Sequence, residues 1–108
     1  MSNLDGRILS SLGLCSKAGK LIYGVPMIIE AMQKGKKVYL VLEAGDTSDN
    51  THKKITDKCG FYGVERIKLN TDGATLGSSV GKGGVLAAVA ITDEGFYAMM
   101  SKYFKQNN

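Results

Sequence analysis

Gly77, Gly81, Lys82 and Gly83 are the residue types that cradle a nucleotide phosphate. A phosphate-binding loop of the form G-x-x-x-x-G-K-[ST] is entered from a strand and left through a helix whose first amides hold the phosphate. Here three residues separate Gly77 from Gly81, Gly83 stands where the metal-binding hydroxyl belongs, and the apolar run 85–91 follows the glycines. The order is helix, glycines, strand, the reverse of a nucleotide loop, and it predicts a helix end turning into a buried strand. His52 is the single histidine, so no nucleophile can be paired with a choice of bases. It stands beside Lys53 and Lys54 at a polar helix start, where phosphate contact is possible but a solvated ring is the expectation. Cys15 and Cys59 are too few for a zinc site or a disulfide framework and are expected as reduced, partly buried side chains. Asp46 and Asp49 in a Gly-containing loop are expected as turn formers rather than magnesium ligands. The expectation is therefore no enzyme, no metal and no cofactor.

These residues sit on a chain of 108 residues, 44% of them hydrophobic, with one proline. That is one globular domain, residues 1–108, rather than a disordered chain. No apolar run approaches the roughly 18 residues a membrane helix needs, and the first residues are broken by acidic and polar groups where a secretion signal would be continuous. The expectation is a cytoplasmic protein without a membrane partner. The net charge of +4 is uneven. Residues 1–40 carry Arg7, Lys17, Lys20, Lys34, Lys36 and Lys37 against Asp5 and Glu30, 6 − 2 = +4, whereas residues 41–108 balance eight against eight. A one-sided basic surface concentrates polyanions, which favours nucleic acid as the partner.

The positioning elements follow from spacing. Leu4, Ile8, Leu12 and Cys15 recur at helical intervals and predict a first helix over about residues 3–17. Leu21-Ile22-Tyr23 is a short strand with Tyr23 packed at a sheet edge, and Gly24 with Pro26 marks a helix start. That second helix is expected to turn Met27, Ile28, Ala31 and Met32 inward and to stop at Gly35; Lys34, Lys36 and Lys37 then complement the negative end of its dipole. Residues 38–42 read as a strand covered on both faces. A polar third helix over about 50–62 buries Ile55 and Cys59 before Gly63, and Val64, Ile67 and Leu69 form a short strand. A short helix over 72–80, a strand over 85–91 and a last helix capped by Thr92 or Asp93 complete the chain; Phe96, Tyr97, Met100, Tyr103 and Phe104 form its apolar stripe, core or an oligomer contact rather than a base-stacking platform. The alternation predicts a three-layer α/β/α sandwich around a mixed sheet of about four strands.

Several segments, in order, resemble one family. Asp49-Asn50-Thr51-His52-Lys53-Lys54-Ile55-Thr56-Asp57-Lys58-Cys59, Leu76-Gly77-x-x-x-Gly81-Lys82, Ala87-Ala88-Val89-Ala90-Ile91, Thr92-Asp93-Glu94-Gly95-Phe96, Leu12-Gly13-Leu14 and Ala18-Gly19-Lys20 are similar to the ribosomal-protein and kink-turn-binding superfamily of the L-seven-Ae type, its bacterial YlxQ-like branch in particular. The resemblance implies a non-catalytic RNA-binding protein of the translation apparatus, ribosomal or ribosome-associated, docking on structured RNA such as rRNA or a kink-turn. It also implies that the RNA meets the N-terminus of the second helix and the loop after the third strand. Carried onto this sequence, the RNA-binding residues are Lys17, Lys20, Gly24, Lys34, Leu69 and Asn70.

The helix start departs from the family's kink-turn readers. Their G-x-N-E-x-x-K is here Gly24-Val25-Pro26-Met27-Ile28-Ile29-Glu30, so only Gly24 carries over. Pro26 has no amide, Met27 has no carboxylate for a guanine, and Glu30 is negative where a phosphate contact is usual. Such a change removes one contact and adds one repulsion, on the order of a few kcal/mol. In the second contact loop Asp72 falls where a basic residue is usual. The alternative is a protein-interaction module that kept the fold and lost kink-turn specificity.

Overall fold

The computed structural model describes residues 4–105 and the side chains of residues 5–104. Five helices alternate with four strands: α1 Leu4–Lys17, β1 Leu21–Tyr23, α2 Val25–Gln33, β2 Leu40–Glu43, α3 Asp49–Tyr62, β3 Glu65–Lys68, α4 Gly73–Ser79, β4 Ala88–Ile91 and α5 Glu94–Lys105. The strands form one mixed sheet in the order β1-β4-β2-β3. β2 and β3 run parallel, with α3 as the crossover, and β4 is antiparallel to both β1 and β2.

The alternation of side chains along β2 and β4 divides the core into two layers. Leu40, Leu42, Val89 and Ile91 face a cluster with Ile8, Leu12 and Cys15 of α1, Leu76 of α4 and Met100 of α5. Val41, Ala88 and Ala90 face the other way, onto Val25, Ile28 and Met32 of α2 and Ile55 and Cys59 of α3. Both central strands are therefore buried throughout, β4 apolar along its length and β2 apolar up to Glu43, because each face of the sheet is covered. The result is the three-layer α/β/α sandwich with a four-stranded mixed sheet that the sequence predicts.

Three local expectations are corrected. Met27 is 54% exposed. Ile28, Ala31 and Met32 are buried as expected, and Val25 rather than Met27 completes the inward stripe of α2. These residues are spaced i, i+3, i+6 and i+7, and Met27, two residues after Val25, falls outside the stripe. Val85 is 73% exposed and the last strand begins only at Ala88, because the chain before it spends its hydrogen bonds on the ends of α4 and β2. Residues 38 and 39 likewise precede β2, which extends instead through Glu43. The start of the first helix at residue 3 and the burial of Leu4 lie outside the described residues and side chains. Cys15 and Cys59 are buried and unpaired. Burial, with Asp93 adding to it and Lys20 opposing it, pushes the Cys15 thiol up to about 11. Burial also raises Cys59, so neither is a thiolate nucleophile at neutral pH.

Candidate nucleic-acid interface

The chain direction of the four strands brings their neighbouring loops together at one end of the sheet. β1, β2 and β3 finish there at Tyr23, Glu43 and Lys68, and β4 starts there at Ala88. Hydrogen bonds then tie the loops in sequence. The Gly24 N–H donates to the Ala88 carbonyl at 3.0 Å, and the Ala44 N–H donates to the Ala87 carbonyl at 2.8 Å. The Gly45 N–H donates to the Thr71 carbonyl at 2.8 Å, and the Leu86 N–H donates to the Gly73 carbonyl at 3.0 Å. Asp46 Oδ1 accepts from the Gly73 N–H at 2.9 Å. Asp5 of α1 accepts from the Asn70 N–H at 3.2 Å and from the Thr71 hydroxyl at 2.6 Å.

Gly24 opens α2 with φ +86°, a backbone region that a side chain makes costly. It supplies no side-chain cap. The first-turn amides of Val25 and Met27 have no acceptor within the helix, and Pro26 has no amide to lose. The helix thus presents backbone N–H groups and the positive end of its dipole at this end of the domain, an arrangement suited to phosphate.

Lys82 is a cation held over the residue that precedes this helix start, on the α1 side of the sheet. Its Nζ lies 4.3 Å from the centroid of the Tyr23 ring, immediately before Gly24. Tyr23 closes edge strand β1 and packs against the core, which agrees with the sheet-edge expectation. Its hydroxyl donates to Ser16 Oγ, and Ser16 donates onward to the Val80 carbonyl at 2.9 Å. Lys17, next in α1, lines an open groove of about 560 Å³ with Leu14, Ser79 and Gly81. Lys17 and Lys82 therefore flank the same glycine turn.

The residues predicted from the sequence divide between two ends of the domain. Gly24 and Asn70 lie at this end, whereas Lys17 stands at the other end of α1 from Asp5, in the groove beside Gly81. Leu69 is 4% exposed and belongs to the core cluster, so the loop offers the Asn70 side chain and backbone rather than an apolar cover. Lys20 lies at the opposite end of β1, its carbonyl accepting from the Thr92 N–H at 3.0 Å. The three residues of β1 lie between it and Gly24, four steps or about 13 Å at roughly 3.3 Å per residue. Lys34 caps the far end of α2 and pairs with Glu30 at 3.6 Å. At 1.5 Å per residue it stands about 15 Å from Gly24. Lys82 is the residue that sequence reasoning passed over: its Gly-Lys-Gly setting spells a failed nucleotide loop, and its partner Tyr23 is remote in sequence.

His52 corrects the expectation of a simply solvated ring. Its Nδ1 is 2.8 Å from Oε2 of Glu43, whose side chain is 0% exposed. Arg66 donates to Glu43 Oε1 at 2.9 Å, and the Thr47 hydroxyl also donates to the carboxylate. Burial pushes the Glu43 carboxyl up, but the hydrogen bonds of Thr47 and His52 and the charges of His52 and Arg66 outweigh it and hold it below its ordinary value. This cluster anchors the start of the 44–48 loop from beneath. Among the described residues no group of three or more His, Cys, Asp or Glu side chains could hold a metal ion, and no described helix is long and apolar enough to cross a membrane.

A mixed four-stranded sheet between two helical layers, with a helix N-terminus and two loops gathered at one end, defines an α/β/α sandwich of the ribosomal-protein type. The chain belongs to the ribosomal protein L7Ae/L30e/S12e/Gadd45 family, whose pattern matches residues 7–101. It is 41% identical over 85 residues to the RNA-binding protein YlxQ of Bacillus subtilis strain 168, covering 79% of this chain and 82% of the relative. It is 33% identical over 90 residues to the RNA-binding protein YlxQ of Enterococcus faecium, covering 83% and 84%. Among solved structures, a protein of unknown function from Bacillus halodurans superposes with a TM-score of 0.79 at 31% identity, covering 90% of this chain and 95% of that one. The 15.5kD RNA binding protein of Giardia lamblia superposes at 0.78 with 15% identity over 98% and 88%, a likeness of fold.

Proposed function

We propose that this protein binds structured RNA without catalysis, through the end of the sandwich where α2 begins. The observation that carries the reading is the uncapped α2 N-terminus at Gly24, with Lys82 held over the ring of Tyr23 just before it. Free amides and a fixed cation together suit a phosphodiester backbone. The names of the relatives as RNA-binding proteins point the same way. Gly24, Lys82 and Asn70 form the interface, Lys17 joins it through the groove beside Gly81, and Leu69 supports its loop. Lys20 and Lys34 lie outside it.

The target is a folded RNA of the translation apparatus, with ribosome association and a cytoplasmic location following from the family's ribosomal members. A kink-turn-like bend fits this end, but Pro26 and Met27 cannot read its guanines as an Asn-Glu pair does. Backbone contacts and shape then carry most of the affinity, and preference for a kink-turn over a straight duplex is small. Met27 and Val85, both well exposed, favour a second reading in which this end binds a protein instead.

Titration of the protein into a kink-turn RNA and a matched duplex lacking its G·A pairs separates these readings. Salt-sensitive binding is expected, with about a tenfold preference or less for the bend, and Lys82→Ala lowering the salt slope by about one. Equal binding to both removes the kink-turn as target. Absence of binding to either RNA and to rRNA overturns the RNA reading in favour of a protein partner.

A further inference from the structure

The opposite end of the α2/α3 layer carries a second basic surface. Helices α2 and α3 both start at the interface end and both finish at the other, where Gly35 and Gly63 follow their last turns. Met32 and Val38 share one buried cluster with Cys59 and Tyr62, so the two C-terminal turns abut. Lys36 and Lys37 project from the first and Phe61 from the second. Phe61 is 80% exposed, with its ring held edge-on to Tyr62 at 4.9 Å and 84°.

The neighbouring acids are already engaged. Glu30 pairs with Lys34, Asp57 with Lys53 at 3.0 Å, and Glu65 accepts from the Tyr97 hydroxyl at 2.7 Å. Among the described residues neither Lys36 nor Lys37 pairs with a carboxylate. A helix C-terminus alone accounts for one lysine near its dipole. It does not account for a second unpaired lysine, nor for an aromatic ring left in water at the same end of the layer. Cations and a free ring face at one end suit unpaired nucleic acid, because any exposed base can stack while phosphates along the strand meet the cations.

We propose that this end is a second RNA-contact surface, taking unpaired RNA with a base stacked on Phe61 and phosphates held by Lys36 and Lys37. It rests on the RNA reading for the class of ligand alone, since Lys82 and Gly24 lie at the other end. A folded RNA gripped at the α2 N-terminus could thus be held together with a single-stranded segment that continues from it.

The test uses the full chain with a fluorescent oligouridylate of about twelve nucleotides, within the usual range of single-strand site sizes. The second probe is a folded RNA without single-stranded arms. Phe61→Ala is expected to weaken oligouridylate binding about fivefold or more, the loss of one stacked base. The double variant Lys36→Glu, Lys37→Glu should weaken it about tenfold or more and lower the salt slope by roughly 1.4, at 0.7 per single-strand phosphate. Neither change should affect the folded probe, whereas Lys82→Ala should do the reverse. All three side chains are exposed, so melting temperatures should stay at the wild-type value. An unchanged affinity in Phe61→Ala, or displacement of the oligouridylate by polyglutamate as readily as by RNA, overturns the proposal. Failure to bind oligouridylate while the folded probe still binds overturns this surface alone; failure with every RNA overturns both readings.

Discussion

A methyl group at Gly77 tests why the glycine turn exists. A Cβ at that position would lie 1.9 Å from the Gly84 carbonyl oxygen, a backbone atom, whereas ordinary contact begins at 3.4 Å. The 82–87 segment would have to retreat by about 1.5 Å to clear it. That segment is tied down by the Lys82 N–H to the Gly77 carbonyl at 2.8 Å and the Leu86 N–H to the Gly73 carbonyl at 3.0 Å. Loss of both bonds costs about 2 kcal/mol, at roughly 1 kcal/mol each. Residual overpacking adds about 2 kcal/mol. The better helix propensity of alanine returns about 1 kcal/mol. Gly77→Ala should therefore destabilise the fold by about 3 kcal/mol, a fall of roughly 12 °C in Tm at about 4 °C per kcal/mol. Thermal melts by circular dichroism and urea titration measure it, with the urea slope unchanged. Gly83→Ala is the control: it has no atom within 4 Å of a Cβ and no left-handed φ, so its stability should stay within about 0.5 kcal/mol of wild type. Equal melting of Gly77→Ala and wild type, or an equal fall in Gly83→Ala, refutes the packing argument.

The Glu43 cluster predicts acid lability. Its folded carboxyl titrates below its unfolded value, so the stabilisation is present above roughly pH 4.3 and lost as the pH falls through the folded value. Urea midpoints between about pH 3 and 6 should fall steeply in wild type and less in Glu43→Gln. Arg66→Gln at neutral pH should cost about 2 kcal/mol, below the cost of breaking an isolated buried pair because Thr47 and His52 remain; an unchanged midpoint would refute the role assigned to the pair.

How far the sequence speaks depends on how local the determining contact is. The helices, the strands and the three layers follow from spacing of three to four or from continuous apolar runs. The family follows from motifs dispersed along the chain. The division of β2 and β4 between two cores does not, because an unbroken run such as residues 88–91 hides which side chain faces which layer. In α2 the spacing places Ile28, Ala31 and Met32 correctly, but in so short a helix it does not tell whether Val25 or Met27 completes the stripe. Val85 is apolar like a strand residue, yet its segment is claimed by hydrogen bonds to Gly73 and Ala44, which spacing cannot foresee. Glu43 looks like the polar end of an apolar run, and His52 like a solvated ring. Their pairing with Arg66 requires the parallel register of β2 and β3. At the proposed interface, Gly24 is legible from its proline neighbour, whereas Lys82 is not, since only the folded sheet brings it over Tyr23. Lys20 and Lys34 share a charge excess with Lys17 in sequence but are carried to the far end by one strand and one helix.

The central claim is that folded RNA is held at the α2 end of the sandwich. Backbone amide NMR of the isotope-labelled protein, titrated with a folded RNA lacking single-stranded arms, tests it most directly. The account predicts the largest shifts at Gly24, Val25 and Met27, at residues 70–73 and at residues 81–87, with Lys36, Lys37 and Phe61 unmoved. Shifts confined to the outer faces of α5 and β3, with Gly24 and Lys82 unchanged, would contradict it.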